Sequence, residues 1–315
     1  MYTPLRPAQS LELPLRHMKY HVLQWGTPQA GSVPLVLGHG WMDVAASWQF
    51  VVDALSEAFV AGRRIIAPDW RGFGRSMPPT PCDHYTFADY LGDLDALVQH
   101  LVPAGGQIDL VGHSMGGNIA MLYAGARPAR IRHLVNVEGF GLPATRPTQA
   151  PRRIGQWLDE LQQLHSGAIS LKSYADASEV AQRLRKNNPR LPEEKALWLA
   201  QHWSAPQSDG RWAILGDAAH KVVNPQLFRV DEVLAHYAAI TAPVLAIEAE
   251  EDSMGAWWKG KFSLDEYHER LQSVPQHKVV RIPDAGHMIH HDQPQLLARF
   301  IEDFCNQDVS SPSDP

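Results

Sequence analysis

A chain of 315 residues with a net charge of −6, 44% apolar and 20% charged, is long enough for one large domain that buries about three-quarters of its extended-chain surface. The acidic balance argues against nucleic acid, which favours basic stripes, and no apolar run approaches the roughly 20 residues of a membrane helix. The first 14 residues carry Pro4, Pro7 and Pro14 but no apolar core of a signal peptide. Cys82 and Cys305 are too few and too far apart for a disulfide framework or a metal knuckle. These features lead us to expect a cytoplasmic, reduced protein without a cofactor, acting on a small molecule.

Taken in order, Lys19–Trp25 reads as a strand closed by a Gly-Thr-Pro turn. Val33–Leu37 is a continuous apolar run, the mark of a strand buried on both faces of a parallel sheet. It runs into Gly38-His39-Gly40-Trp41, and from Ser47 a helical pattern places Trp48, Val51, Val52, Leu55 and Phe59 on one face. Arg64–Asp69 is the next strand, and a helix is predicted from about Tyr85 to Leu101.

Ile108–Ala120 is the most informative stretch. A short apolar run ends in Gly112-His113-Ser114-Met115-Gly116, and a small-residue, helix-competent segment follows. Strand, sharp turn and helix form the nucleophile elbow, which lifts a serine Oγ clear of the backbone. Gly112 and Gly116 flank the turn because side chains there would collide. The helix that follows aims its first N–H groups near Ser114, where negative charge would develop.

A strand follows at His133–Val137. From 140 to 236 the alternation breaks into helical stretches carrying Trp157, Trp198, Trp203 and Trp212. Strands return at Pro243–Ile247 and Lys278–Ile282, and a helix closes the chain from Pro294 to Phe304. Strands alternating with helices imply right-handed βαβ units and a parallel sheet. The polar tail, 306–315, is expected to be disordered.

The residues now resemble a known family, the α/β-hydrolase fold superfamily in its serine-nucleophile branch. Four motifs carry the resemblance in order: His39-Gly40-Trp41, Asp69 through Ser76, Gly112 through Gly117, and Ala285-Gly286-His287 through Asp292-Gln293-Pro294. Leu184–Leu191 with Trp203, and Asp209–Trp212 with Asn224-Pro225, resemble the cap of the serine hydrolase-like subgroup. The resemblance implies an α/β fold with an eight-stranded, mostly parallel sheet whose first strands are antiparallel. The core would span 1–139 and 237–305, with 140–236 as a helical cap.

It also implies roles. Free serine needs a base, and the family order of serine, acid, histidine puts that base downstream, at His287. A metal site at His287, His290 and His291 is disfavoured, because no zinc-binding helix motif is present. His290 and His291 are expected to orient the loop and Asp292 to cap the following helix. The turn after Pro243–Ile247 offers Glu248, Glu250, Glu251 and Asp252 as the acid. The family pattern selects Asp252, with Glu138 and Glu250 as alternatives, although Ala249 stands where glycine is common. Met115 N–H and, by resemblance, Trp41 N–H would form the oxyanion hole. Asp69 and Arg71 would brace loops, and Arg71–Arg75 is no phosphate cradle.

Dehalogenases and epoxide hydrolases of this fold place Asp at the elbow, whereas this chain has Ser114. The reading is therefore hydrolysis of small to medium hydrophobic acyl or aryl carboxylic esters. Carbon–carbon bond hydrolysis, cofactor-free perhydrolysis and a ligand receptor with little turnover remain the alternatives.

Overall fold

The computed structural model describes residues 2–307, so most of the tail expected to be disordered lies outside the described residues. The chain opens with an antiparallel pair, β1 (Gln9–Leu15) and β2 (Met18–Trp25). No residue pattern above marks β1, although an eight-stranded sheet with its first strands antiparallel leaves a place for it. Its Leu11, Leu13 and Leu15 alternate with polar residues, but Pro14 argues against a strand. The proline is tolerated because β1 is the sheet edge.

β3 (Leu35–Gly38) leads through a short 3₁₀ turn into α1 (Gln49–Ala54), and α2 (Glu57–Val60) follows. The sequence pattern suggests one helix through Phe59. The chain instead breaks at Leu55, which is extended, and Ser56 restarts it by accepting from Phe59 N–H at 3.2 Å. β4 (Ile65–Pro68), α3 (Phe87–Leu101), β5 (Ile108–His113), α4 (Met115–Ala126) and β6 (Ile131–Val137) follow within a few residues of their expected positions.

The segment expected to be a helical cap holds α5 (Ala150–His165), α6 (Ala177–Asn187), α7 (Glu193–Trp203) and α8 (Val230–Ala238). It also contains a small antiparallel sheet of β7 (Ser173–Tyr174), β8 (Ser204–Pro206) and β9 (Trp212–Ile214). Strands of two or three residues are too short to leave a period-two pattern. The core resumes with β10 (Val244–Ala249), α9 (Ser253–Trp258), α10 (Leu264–Leu271), β11 (His277–Ile282), α11 (Ile289–Asp292) and α12 (Pro294–Cys305).

Eight strands form one sheet in the order β1-β2-β4-β3-β5-β6-β10-β11. β1, β2 and β4 pair antiparallel, and the remaining pairs are parallel. β3, β4, β5 and β10 are buried at every position because helices cover both faces. One apolar layer packs residues of α1 and α12 with the α6–α7 pair, and the other packs α3, α4 and α10. The parallel strands therefore deliver their C-terminal turns to a single edge, the place where ligands bind in open α/β sheets.

Candidate active site

Ser114 stands between β5 and α4 with φ 52° and ψ −115°. A non-glycine residue held outside the broad allowed regions costs on the order of 1–3 kcal/mol and persists only when its surroundings enforce it. Here they do. A Cβ on Gly112 would lie 2.3 Å from Gly116 O, and one on Gly116 would lie 2.5 Å from Gly38 O. Only glycine lets β3, β5 and α4 approach this closely. Ser114 N–H donates to Val137 O at 2.8 Å, tying the turn to β6. Met115 opens α4, so its N–H is one of the four donors that a helix leaves without an internal partner.

The loop after β3 is braced from below. His39 Nε2 accepts from Trp70 N–H at 2.8 Å, so Nδ1 carries the proton and donates to Gly40 O at 2.7 Å. Trp70 Nε1 donates to His39 O at 2.9 Å. Asp69 accepts from Ala45 N–H, Arg75 N–H and the His21 ring, while Arg71 grips Asp93 of α3 with two nitrogens. Asp69 and Arg71 thus hold loops in place, and Trp41 is left 53% exposed beside them.

His287 lies in the loop after β11. Its backbone O accepts from His113 Nε2 at 2.8 Å, and the two rings are 4.7 Å apart, so the elbow and this loop are in direct contact. The His287 Nδ1 atom is 3.1 Å from Glu138 Oε2. Glu138 follows β6 immediately and has φ 57°, a second non-glycine residue in the left-handed region. Its Oε1 accepts from Ala249 N–H at 2.7 Å and its Oε2 from Ser253 Oγ at 2.8 Å.

In this geometry the carboxylate against His287 is Glu138 and not the expected Asp252. Asp252 is exposed and does not reach His287; its Oδ1 accepts from Gly255 N–H at 2.9 Å and caps α9. The reason is local. Three residues beyond β10, Asp252 is captured by the unpaired N–H groups of the next helix. The other acids of that turn are engaged as well. Glu248 pairs with His268 at 2.6 Å, Glu250 accepts from Asp284 N–H at 3.0 Å, and Glu251 takes the Arg190 guanidinium on both oxygens.

Burial sets the charges. It pulls the His287 imidazole down to about 3, so the ring is neutral at rest and able to accept a proton. It pushes Glu138 up to about 7, against the opposing pull of the Ala249 and Ser253 hydrogen bonds. An imidazolium formed at His287 would face the Glu138 carboxylate in a poorly solvated corner, where opposite charges attract strongly.

One expectation for the histidine loop changes. Asp292 does not cap α12; it accepts from Gly286 N–H at 2.9 Å and from Asn188 Nδ2 at 2.7 Å. With Arg190 on Glu251, this stitches the expected cap segment to the loop that presents His287. The aromatic partner of His287 is Trp257 of α9, edge-on at 4.1 Å and 49% exposed. No local sequence pattern marks this tryptophan; only its place between β10 and β11 points to it. Trp203, by contrast, is buried with its Nε1 on Ser47 Oγ at 3.5 Å, and Trp198 packs on Phe50. Trp212 is half-buried against the same apolar layer, and Trp157 meets His84 edge-on.

A strained serine at a helix start, whose neighbour His113 touches the loop of a histidine–carboxylate pair at the C-terminal edge of a covered parallel sheet, defines a class. The chain belongs to the alpha/beta hydrolase fold family, whose model matches residues 33–294. It is 24% identical over 306 residues to the "Serine hydrolase-like protein" of Danio rerio, covering 96% of this chain and 90% of that protein. It is 38% identical over 279 residues to the "Cis-3-alkyl-4-alkyloxetan-2-one decarboxylase" of Shewanella oneidensis, covering 87% and 82% respectively. A crystal structure of a hypothetical protein from Pseudomonas aeruginosa superposes with a TM-score of 0.81 at 24% identity, covering 95% of this chain and 100% of that one. No helix among the described residues is long and apolar enough to cross a membrane.

Proposed function

We propose that this protein is a serine hydrolase of small to medium hydrophobic carboxylic esters, working through an acyl-enzyme. The observation that carries the reading is the pairing of His287 Nδ1 with Glu138 in a loop bonded to the residue next to Ser114. In this reading Ser114 Oγ attacks the ester carbonyl and its proton passes to His287 Nε2, the nitrogen turned away from Glu138. Glu138, rather than Asp252, is the acid that holds the imidazole's orientation. Met115 and Trp41 N–H groups receive the oxyanion, each contributing on the order of 3 kcal/mol to the transition state. His287 then protonates the leaving alcohol, and water activated by the same ring releases the acid.

The exposed Trp257, edge-on to His287, favours an apolar substrate. Residues 140–236 act as a cap over a core of 1–139 and 237–305, a role supported by the Asn188 and Arg190 contacts beside His287. Cys82 and Cys305 are both free, which suits a reducing cytoplasm.

The test is fluorophosphonate labelling together with turnover of p-nitrophenyl acetate, butyrate and octanoate, on wild type and Ser114→Ala. The expected result is labelling in wild type alone, with steady turnover that falls at least about 10³-fold in the variant. Labelling followed by a single burst would shift the assignment to a ligand receptor. Steady hydrolysis by Ser114→Ala would end it.

A further inference from the structure

Behind the candidate active site lies a buried group of side chains, several of whose polar atoms lack partners among the described residues. Asp43, His113 and His290 are each at most 3% exposed. Asp43 Oδ1 is occupied, accepting from Val44 N–H and Ser47 Oγ, whereas Oδ2 has no hydrogen bond among the described residues. His113 Nε2 faces the His287 carbonyl, which can only accept, so Nε2 holds the proton and Nδ1 keeps a free lone pair. Among the described residues that Nδ1 has no partner, and neither nitrogen of His290 has a hydrogen bond.

Four unpaired polar atoms on three residues, gathered in a buried corner, need an explanation. One ligand atom from each residue lies within 4.8 Å of the others. His290 Nε2 is 3.4 Å from Asp43 Oδ2, without the alignment of a hydrogen bond. For metal–ligand bonds of about 2.0–2.2 Å, neighbouring ligands in a tetrahedral site stand about 3.3–3.6 Å apart. Two imidazoles and a carboxylate are a donor set that suits Zn²⁺ and its neighbours.

A second triple of ligand-type residues, Asp109, His133 and Cys305, provides a contrast. There both Asp109 oxygens are taken, by Arg63, Arg132 and His133, and the guanidiniums would repel a cation. At Asp43–His113–His290 no Arg or Lys stands among the ligands.

The geometry points to a buried transition-metal site of Zn²⁺ type at Asp43, His113 and His290, with a fourth position left for water. Because His113 donates its other N–H to the His287 carbonyl, the arrangement that usually orients a ligating imidazole, an ion at His113 Nδ1 couples the site to the loop of the proposed base. That coupling rests on the proposed function; the binding does not.

The experiment strips the full-length protein with a chelator and titrates it with Co²⁺, following the visible absorption bands, and then with Zn²⁺ in competition. One equivalent is expected, with the intense spectrum of a low-coordinate cobalt site, equally in wild type and Ser114→Ala. Using Ser114→Ala separates failure of the metal site from failure of the hydrolase assignment. His290→Gln should weaken binding at least about tenfold, while His165→Gln, at an exposed His–Asp pair, should leave it unchanged. Absence of binding, or equal binding by His290→Gln, overturns the site. Should His290→Gln fail to fold, zinc K-edge X-ray absorption on wild type decides: two imidazoles in the first shell support the site, and fewer overturn it.

Discussion

The turn after β6 and the turn after β10 are neighbours in space, because β6 and β10 pair in the sheet, yet their carboxylates differ sharply. Glu138 sits directly at its strand end in a left-handed conformation, buried and bonded to Ala249, Ser253 and His287. Asp252 lies three residues past its strand, exposed, with its carboxylate folded back onto α9. The first turn stores backbone strain and places a charge under a histidine; the second satisfies a helix end. Position relative to the strand end decides which carboxylate can reach His287.

Exchanging the acids' chemistry tests this contrast most severely. Glu138→Gln keeps the shape but loses the charge opposite His287, and kcat for ester hydrolysis should fall about 10³- to 10⁴-fold, as for other triad acids. A loss below tenfold in steady-state assays would return the acid to another residue.

Burial, which separates the two carboxylates, also acts on histidines away from the site. His39, His202 and His220 are held below the ordinary histidine value by burial, His220 at about 4. The unfolded chain, with values near 6.5, binds protons that the folded chain refuses. Stability is therefore retained above about pH 6.5 and lost as pH falls below it, by up to about 1.4 kcal/mol per group per pH unit. Thermal unfolding midpoints should drop between pH 7 and 5; a flat or rising midpoint would contradict the buried, neutral assignment.

Smaller effects sharpen the comparison within the β10 turn itself. Trp257→Ala removes the aromatic edge from His287 and should lower kcat/KM about two- to tenfold, in line with an aromatic contact of 0.5–1.5 kcal/mol. An unchanged value across acetate and octanoate esters would detach Trp257 from the site. Asp252→Ala should be the mildest, costing about 1 kcal/mol of stability for the lost cap while hydrolysis stays within about twofold of wild type. Collapse of activity in that variant, with the fold intact by circular dichroism, would reverse the assignment of the two acids.

Much of the fold was legible because it is written locally. Apolar runs such as Val33–Leu37 mark strands covered on both faces, and the Gly112–Gly116 spacing meets a steric need that the close backbone contacts display. The less legible parts depend on contacts between distant segments. β1 was hidden by a proline that an edge strand tolerates. The break at Leu55 was hidden by a continuous apolar face. Trp257 was hidden because its neighbour, His287, is brought in from beyond β11.

The sequence alone determined the serine turn, where most of the core strands lie along the chain and the loop carrying His287, because each rests on short-range backbone chemistry that a few residues specify. Only the tertiary structure decided which acid meets the histidine and which imidazoles share a buried corner with Asp43. Those outcomes depend on sheet order, which lays β6 against β10, and on the left-handed turn that aims Glu138 beneath its neighbour. Neither the pairing nor the dihedral angle is encoded in residue spacing along the chain.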